Sequence, residues 1–258
     1  MLKKRGQVAI FVIIAILIVI GIILLFLYKD RLFPGKEGAE AFSPESYLKS
    51  CIEPYIKNSL AIQAKQGGFI APEGYLDYKN EKITYICYTN EYFKPCVVQR
   101  PMIKAQMEKE LEASVLGRAR GCVESLIGEY KNRGFSANAG EVKNKVEILP
   151  GKIGVSFTMP LTVTKETSTQ RFDRFDIGIK SEMYDLLLIS ENIASFEAEF
   201  GDSEITSYMQ YYPDLKIEKD KTAEGSKIYT VTNVATKEKF RFATRSLVWS
   251  PGYGVDEK

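Results

Sequence analysis

Residues 103–130, IKAQMEKELEASVLGRARGCVESLIGEY, decide how this chain folds. Ile103, Met107, Leu111, Val115, Ala119, Cys122, Leu126 and Tyr130 recur every three or four residues, so they share one stripe of a helix. Pro101 suits the first turn of that helix and Gly134 its end. A stripe this long must be covered, and the rest of the chain has to supply the cover.

Upstream, Ser43-Pro44-Glu45 reads as a helix start, with Ser43 as the cap, Pro44 at the first helical position and an acid in the first turn. Leu48, Cys51, Ile52, Tyr55, Ile56 and Leu60 then repeat at helical spacing until Gln66-Gly67-Gly68 ends the pattern. Pro54 lies inside it and predicts a kink, or a true start nearer Pro54. Between the two helices, residues 69–98 turn β-prone and tyrosine-rich, with Lys82 to Tyr88 the clearest strand. The two helices therefore run antiparallel across a structured connector.

Downstream, the period changes to two. Glu141 to Ile148, Gly154 to Thr158, Leu161 to Thr164 and Arg171 to Ile179 alternate, with turns at Pro150-Gly151 and Glu166 to Thr169. Met183 to Phe200 is a third helix and Glu204 to Tyr212 a short fourth. Leu215 to Glu218, Lys227 to Val234 and Lys239 to Thr244 form a closing meander. Helices first and antiparallel strands later give an α+β fold, with one or two helices packed on the sheet. The expected divisions are 1–28, 29–42 (a linker), 43–140 (helices and disulfides) and 141–258 (sheet plus helix).

Residues 1–28 place the protein. Lys3, Lys4 and Arg5 precede an apolar run from Val8 to Tyr28 that holds no charge and no proline. As a helix it would span about 31 Å, the thickness of a bilayer's hydrocarbon core. The basic cluster before it predicts a cytoplasmic N-terminus and an extracellular remainder. Pro34-Gly35 should end the helix just outside the membrane. The other partner expected is an extracellular protein or envelope component. Basic and acidic groups beyond Arg5 number 32 and 33, a balance that does not point to nucleic acid.

All four cysteines, Cys51, Cys87, Cys96 and Cys122, lie on the expected outer side, where an even set forms disulfides. Three connectivities are possible. Cys51 and Cys122 sit on the apolar stripes of the two helices and Cys87 and Cys96 flank a short aromatic segment, so the reading is Cys51–Cys122 with Cys87–Cys96. With no C-x-x-C pair and no histidine, no metal site and no cofactor are expected.

Two resemblances follow from particular residues. Lys4-Arg5-Gly6-Gln7 before an apolar helix resembles the class III signal of archaeal type IV pilin-like proteins, which implies cleavage between Gly6 and Gln7. The chain departs from that family at Phe11, where glutamate is usual, and at Pro34-Gly35, where a pilin helix runs on. The second resemblance covers roughly Tyr47 to Ser246. It rests on Cys51 with Gln66-Gly67-Gly68-Phe69-Ile70, on the helix with Cys122, on Val155 to Val163 and on Phe240 to Arg245. Together these resemble a group of uncharacterised single-pass membrane proteins of small-genome (DPANN-type) archaea, which implies location and fold but no mechanism.

Catalytic constellations are incomplete. Histidine, the usual acid–base group at neutral pH, does not occur. Ser46 and Lys49 have S-x-x-K spacing but lack S-D-N and K-T-G companions, since Lys221-Thr222-Ala223 has no glycine. Glu197, Glu199, Asp202 and Glu204 cluster without a calcium-loop pattern and read as a solvated helix end. Asp173 and Asp176 fall on opposite strand faces. Tyrosine is enriched at interfaces, so the aromatics Tyr75, Tyr78, Tyr85, Tyr88, Tyr92 and Phe93, with Tyr208, Tyr211 and Tyr212, point to binding, and Tyr85, Tyr88 and Tyr92 are the expected contact surface. The expectation is a membrane-anchored surface module without a catalytic site, serving adhesion or envelope assembly. A minor pilin-like subunit is the alternative, and an extracytoplasmic enzyme or solute receptor a further one.

Overall fold

The stripe from Ile103 to Tyr130 is buried along its whole length in the computed structural model, which describes residues 14, 16–20, 22, 23 and 42–250. The chain separates into two units, Met1–Ser43 and Pro44–Lys258. In the first, residues 14, 16–20, 22 and 23 are helical with side chains about half exposed. No helix among the described residues is long and apolar enough to cross a membrane. The expected span at 8–28 lies largely outside them, as do Gly6, Gln7 and Pro34-Gly35.

The second unit is a mixed α+β fold. Its elements are α1 (Pro44–Lys65), β1 (Tyr75–Tyr78), β2 (Glu81–Tyr88), β3 (Val97–Val98), α2 (Ile103–Asn132), β4 (Ser136–Ala139), β5 (Lys143–Leu149), β6 (Lys152–Lys165) and β7 (Ser168–Lys180). They continue with α3 (Met183–Phe200), α4 (Thr206–Tyr211), β8 (Leu215–Lys221), β9 (Ser226–Asn233) and β10 (Lys239–Arg245). Helix α1 runs through Pro54 without ending there. The strands expected at 154–158 and 161–164 are one strand, β6, with a bulge between Thr158 and Leu161.

Helix α2 packs on α1, β4 and β5. A disulfide joins Cys51 of α1 to Cys122 of α2, with Cα atoms 6.0 Å apart. Polar side chains fix the same junction. Gln63 Nε2 donates to Met107 O at 3.2 Å, and the Ile70 N–H donates to Glu110 Oε2 at 2.8 Å. Between them, Gly67 and Gly68 adopt φ of +73° and +97°; a Cβ on Gly67 would come within 2.9 Å of the Thr84 Cβ, so the turn after α1 needs glycine for both conformation and space.

Two sheets result. The smaller has β6 at its centre, with β7 along one side and β5 and β4 in line along the other. The larger has the order β1-β2-β10-β9-β8, with β3 also on β2. The meander β8-β9-β10 is antiparallel as expected, but β10 pairs parallel to β2. The connector strand is therefore part of the main sheet. The strands after residue 140 pair antiparallel among themselves as expected, whereas the connector strand, expected to stand apart, joins β10 across residue 140. Periodicity reports faces, not partners, so this pairing was not visible in the alternation.

Helix α3 covers one face of the larger sheet, against β2, β9 and β10. Phe240, Phe242, Tyr229 and Val231 are fully buried on that side. On the opposite face Ile83, Ile228 and Ala243 form a small cluster against Leu76, Tyr78 and Tyr85.

Candidate functional site

Alternation along β2 would put Tyr85 and Tyr88 on opposite faces, three residues apart. The structure brings them together. The ladder between β2 and β10 slips, so that Ala243 and Thr244 face Tyr85 and Cys87, and Ile86 is the extra residue of a bulge. Both rings then lie away from α3, edge to face with centroids 4.9 Å apart. Tyr85 OH shares a 2.8 Å hydrogen bond with Ser226 Oγ, and burial pushes its hydroxyl pKa up. Arg245 lies over the Tyr88 ring at 5.6 Å.

Tyr92, the third expected contact, stands apart from this pair on the loop between Cys87 and Cys96, which are disulfide-bonded. Main-chain bonds pin the loop to the end of β10. Thr89 N–H donates to Arg245 O at 2.9 Å, Phe93 N–H to Leu247 O at 2.7 Å, and Leu247 N–H to Lys94 O at 3.0 Å. Cys96 N–H donates to Ser246 Oγ at 2.9 Å. On this rigid support Tyr92 is 62% exposed and Phe93 78%. Phe93 holds φ of 60°, a left-handed conformation that costs a bulky residue about 1–3 kcal/mol. Val97, the register partner of Tyr88, is also exposed. Three large apolar side chains, Tyr92, Phe93 and Val97, are therefore exposed on or beside the Cys87–Cys96 loop.

Beside Tyr88 a groove of about 330 Å³ opens, walled by Tyr85, Tyr88, Gln99 and Arg100 and rimmed by Glu73, Gly74 and Tyr75. The sequence reading pointed to Phe93 among the connector aromatics but missed Gln99 and Arg100. Gln99-Arg100 lies between the last β-prone run and the first turn of α2 and carries no periodic signal.

The acidic cluster is not the solvated helix end expected. Glu197 is fully buried on the sheet-facing stripe of α3, and Lys227 of β9 donates to both its carboxylate oxygens at 2.9 Å. Lys227 also donates to Gly201 O at 2.6 Å and Asp202 Oδ1 at 3.0 Å, and Tyr229 OH donates to Glu197 Oε1. Burial pushes the Glu197 carboxyl up, opposed by the charge of Lys227 and the Tyr229 bond. Burial also raises Asp202, but Lys219 and Lys227 outweigh it and bring its pKa down to about 2. The sequence signal was position: Leu186, Ser190, Ile193 and Glu197 share the buried stripe of α3. Glu199 is exposed, and Glu204 accepts from the Thr206 N–H at 2.8 Å. The four acids do not converge, and no metal-binding group of three or more ligands occurs among the described residues.

Elsewhere, Ser46 and Lys49 are exposed on the first turns of α1. Asp173 and Asp176 are exposed in β7 and each pairs with its own neighbouring arginine, Arg171 and Arg174. Compared with known proteins, the chain matches no family model, no curated protein and no solved structure.

Proposed function

We propose that this chain is a membrane-anchored surface module that binds an envelope component through the Tyr85–Tyr88 face and the Cys87–Cys96 loop. The apolar run from Val8 to Tyr28 behind Lys3 to Arg5 supports the anchor and the orientation. Two disulfides suit an oxidising exterior. The observation that carries the reading is Phe93, a bulky aromatic held exposed in a strained conformation on a loop tied by a disulfide and main-chain bonds. Such pre-ordering lowers the entropic cost of recognition and does nothing for the fold's core. Binding without catalysis is the reading, since neither Ser46 with Lys49 nor the acids at the end of α3 form a working constellation.

Two measurements test it. Protease added to whole cells should digest residues beyond the anchor; protection until lysis would reverse the orientation. The triple variant Tyr85→Ala, Tyr88→Ala, Tyr92→Ala should lose binding to isolated cell envelopes while staying folded. Unchanged binding would remove this face as the contact surface. Ester, peptide or glycan hydrolysis abolished by Ser46→Ala or Lys49→Ala would overturn the non-catalytic reading. The pilin-like alternative, supported by Lys4-Arg5-Gly6-Gln7, requires the intact mass to show a cut after Gly6.

A further inference from the structure

We propose that the groove between Tyr88 and Arg100 binds an acidic sugar, a pyranose bearing a carboxylate, such as the uronic-acid unit of an envelope glycan. This rests on the reading that the same face contacts the envelope, and it adds the chemical class of the ligand.

The groove lies where the chain enters β1 and leaves β3, along one edge of β2. The main-chain positions of that edge are already used. Tyr85 N–H donates to Gly74 O at 3.1 Å, and Gln99 N–H donates to Ile86 O at 2.7 Å. An extended peptide therefore finds no strand edge to join here. What the groove offers instead is side chains, and they are of three kinds.

The first is ring surface. Tyr85 and Tyr88 give an aromatic wall against which the C–H face of a pyranose can pack. The second is a cationic fork. Arg100 donates one Nη2–H to Glu73 O at 3.2 Å and lies over the Phe69 ring at 5.2 Å, but it joins no ion pair among the described residues. Its guanidinium is planar, always charged and shaped for bidentate recognition of a carboxylate. The third is a pair of acceptors. Gln99 Nε2 donates to Val97 O at 3.1 Å, which leaves the amide oxygen available, and the Glu73 side chain is exposed at the rim.

A ligand that satisfies the whole set must bring an apolar ring face, an anion and hydroxyl donors. A neutral sugar lacks the anion. An acidic peptide brings the anion but no run of hydroxyls for Gln99 and Glu73. An acidic sugar has all three. The volume of about 330 Å³ sits at the small end of ligand pockets and accommodates one or two pyranose rings.

Calorimetry on the full chain in detergent micelles tests the proposal with three probes: digalacturonate, neutral galactobiose and triglutamate. Digalacturonate should bind roughly tenfold more tightly than galactobiose, the effect of one charge-assisted hydrogen-bond pair, and triglutamate should give no binding heat. Arg100→Ala should bring the acidic sugar down to the level of the neutral one and leave the neutral one unchanged. Arg100→Lys should restore only part of the difference, because the ammonium keeps the charge and loses the fork. Gln99→Ala should weaken both sugars alike; this exposed residue keeps the test valid if Arg100→Ala does not fold. Equal affinity for the two disaccharides, preference for triglutamate, or no binding of either sugar by the wild type would overturn the proposal. Envelope binding that digalacturonate fails to displace would overturn the ligand class alone, whereas a wild-type chain that does not bind envelopes would remove the functional reading beneath it.

Discussion

Lys227 and Arg100 are cations of one sheet region placed in opposite circumstances. Lys227 points from β9 toward α3 and meets four acceptor atoms, on Glu197, Gly201 and Asp202, with almost no solvent contact. Arg100 lines the groove beside Tyr85 and Tyr88 and meets one carbonyl oxygen and no acid. Burying a charge is tolerable only when it is paired and hydrogen-bonded, and the α3 side meets that condition fully. A saturated cluster has nothing left to offer a ligand, so it holds the helix on the sheet. The groove keeps a charge and acceptors in reserve, and the neighbouring loop holds an aromatic in strain. One face closes the fold; the other is free to bind.

The largest effect expected is on the closed side. Lys227→Met strands the Glu197 carboxylate and should cost about 3–5 kcal/mol in denaturant unfolding. Adding Glu197→Leu should recover more than half of that; a double variant as unstable as the single would show that the pair is not the unit of stability. The single variant also carries a pH signature. With Lys227 gone, burial holds the Glu197 carboxyl still further above its unfolded value, so the native state binds the extra proton and stability rises as pH falls through the acidic range.

The disulfides come next. In the chain-entropy account, opening Cys51–Cys122, with a separation of 71 residues, costs about 4 kcal/mol, and opening Cys87–Cys96, with a separation of 9, about 2.5 kcal/mol. Paired alanine variants should follow that order in melting temperature, yet only the shorter one should weaken envelope binding. Equal loss of binding from both would mean that the Tyr92–Phe93 loop is not the element that matters.

Phe93→Gly sharpens the contrast, because it removes strain and contact together. Stability should hold or rise by up to about 1 kcal/mol, since glycine accepts positive φ without steric cost. A loss of stability would show that the ring supports the fold. The smallest effect concerns Asp202, whose pKa of about 2 lies below that of an unfolded aspartate. Its contribution is present above the unfolded value and is lost as pH falls from about 4 toward 2. Asp202→Asn should flatten that part of the stability curve. The side chain is 37% exposed, so solvent screening keeps the change modest.

What could be read from the sequence was what repeats. The α2 stripe is buried at every position named, because a helix has one period and one burial face. Cys51 and Cys122 are bonded, as are Cys87 and Cys96, which placement on apolar stripes and short spacing made legible. What could not be read depends on single departures from a period or on distant partners. The bulge at Ile86 turns Tyr85 and Tyr88 to one side, and nothing in ITYICY announces it. Glu197 looked like a solvent residue because its partner Lys227 is thirty positions away and on another element. The parallel β2–β10 pair joins strands more than 150 residues apart, beyond any local pattern.

The most direct test sets the two sides against each other in one experiment: envelope binding and melting temperature measured together for full-length Lys227→Met and Tyr88→Ala. The account predicts that Lys227→Met melts at a markedly lower temperature and still binds at temperatures where it is folded, while Tyr88→Ala melts close to the wild type and no longer binds. Lost binding in folded Lys227→Met together with intact binding in Tyr88→Ala would contradict it.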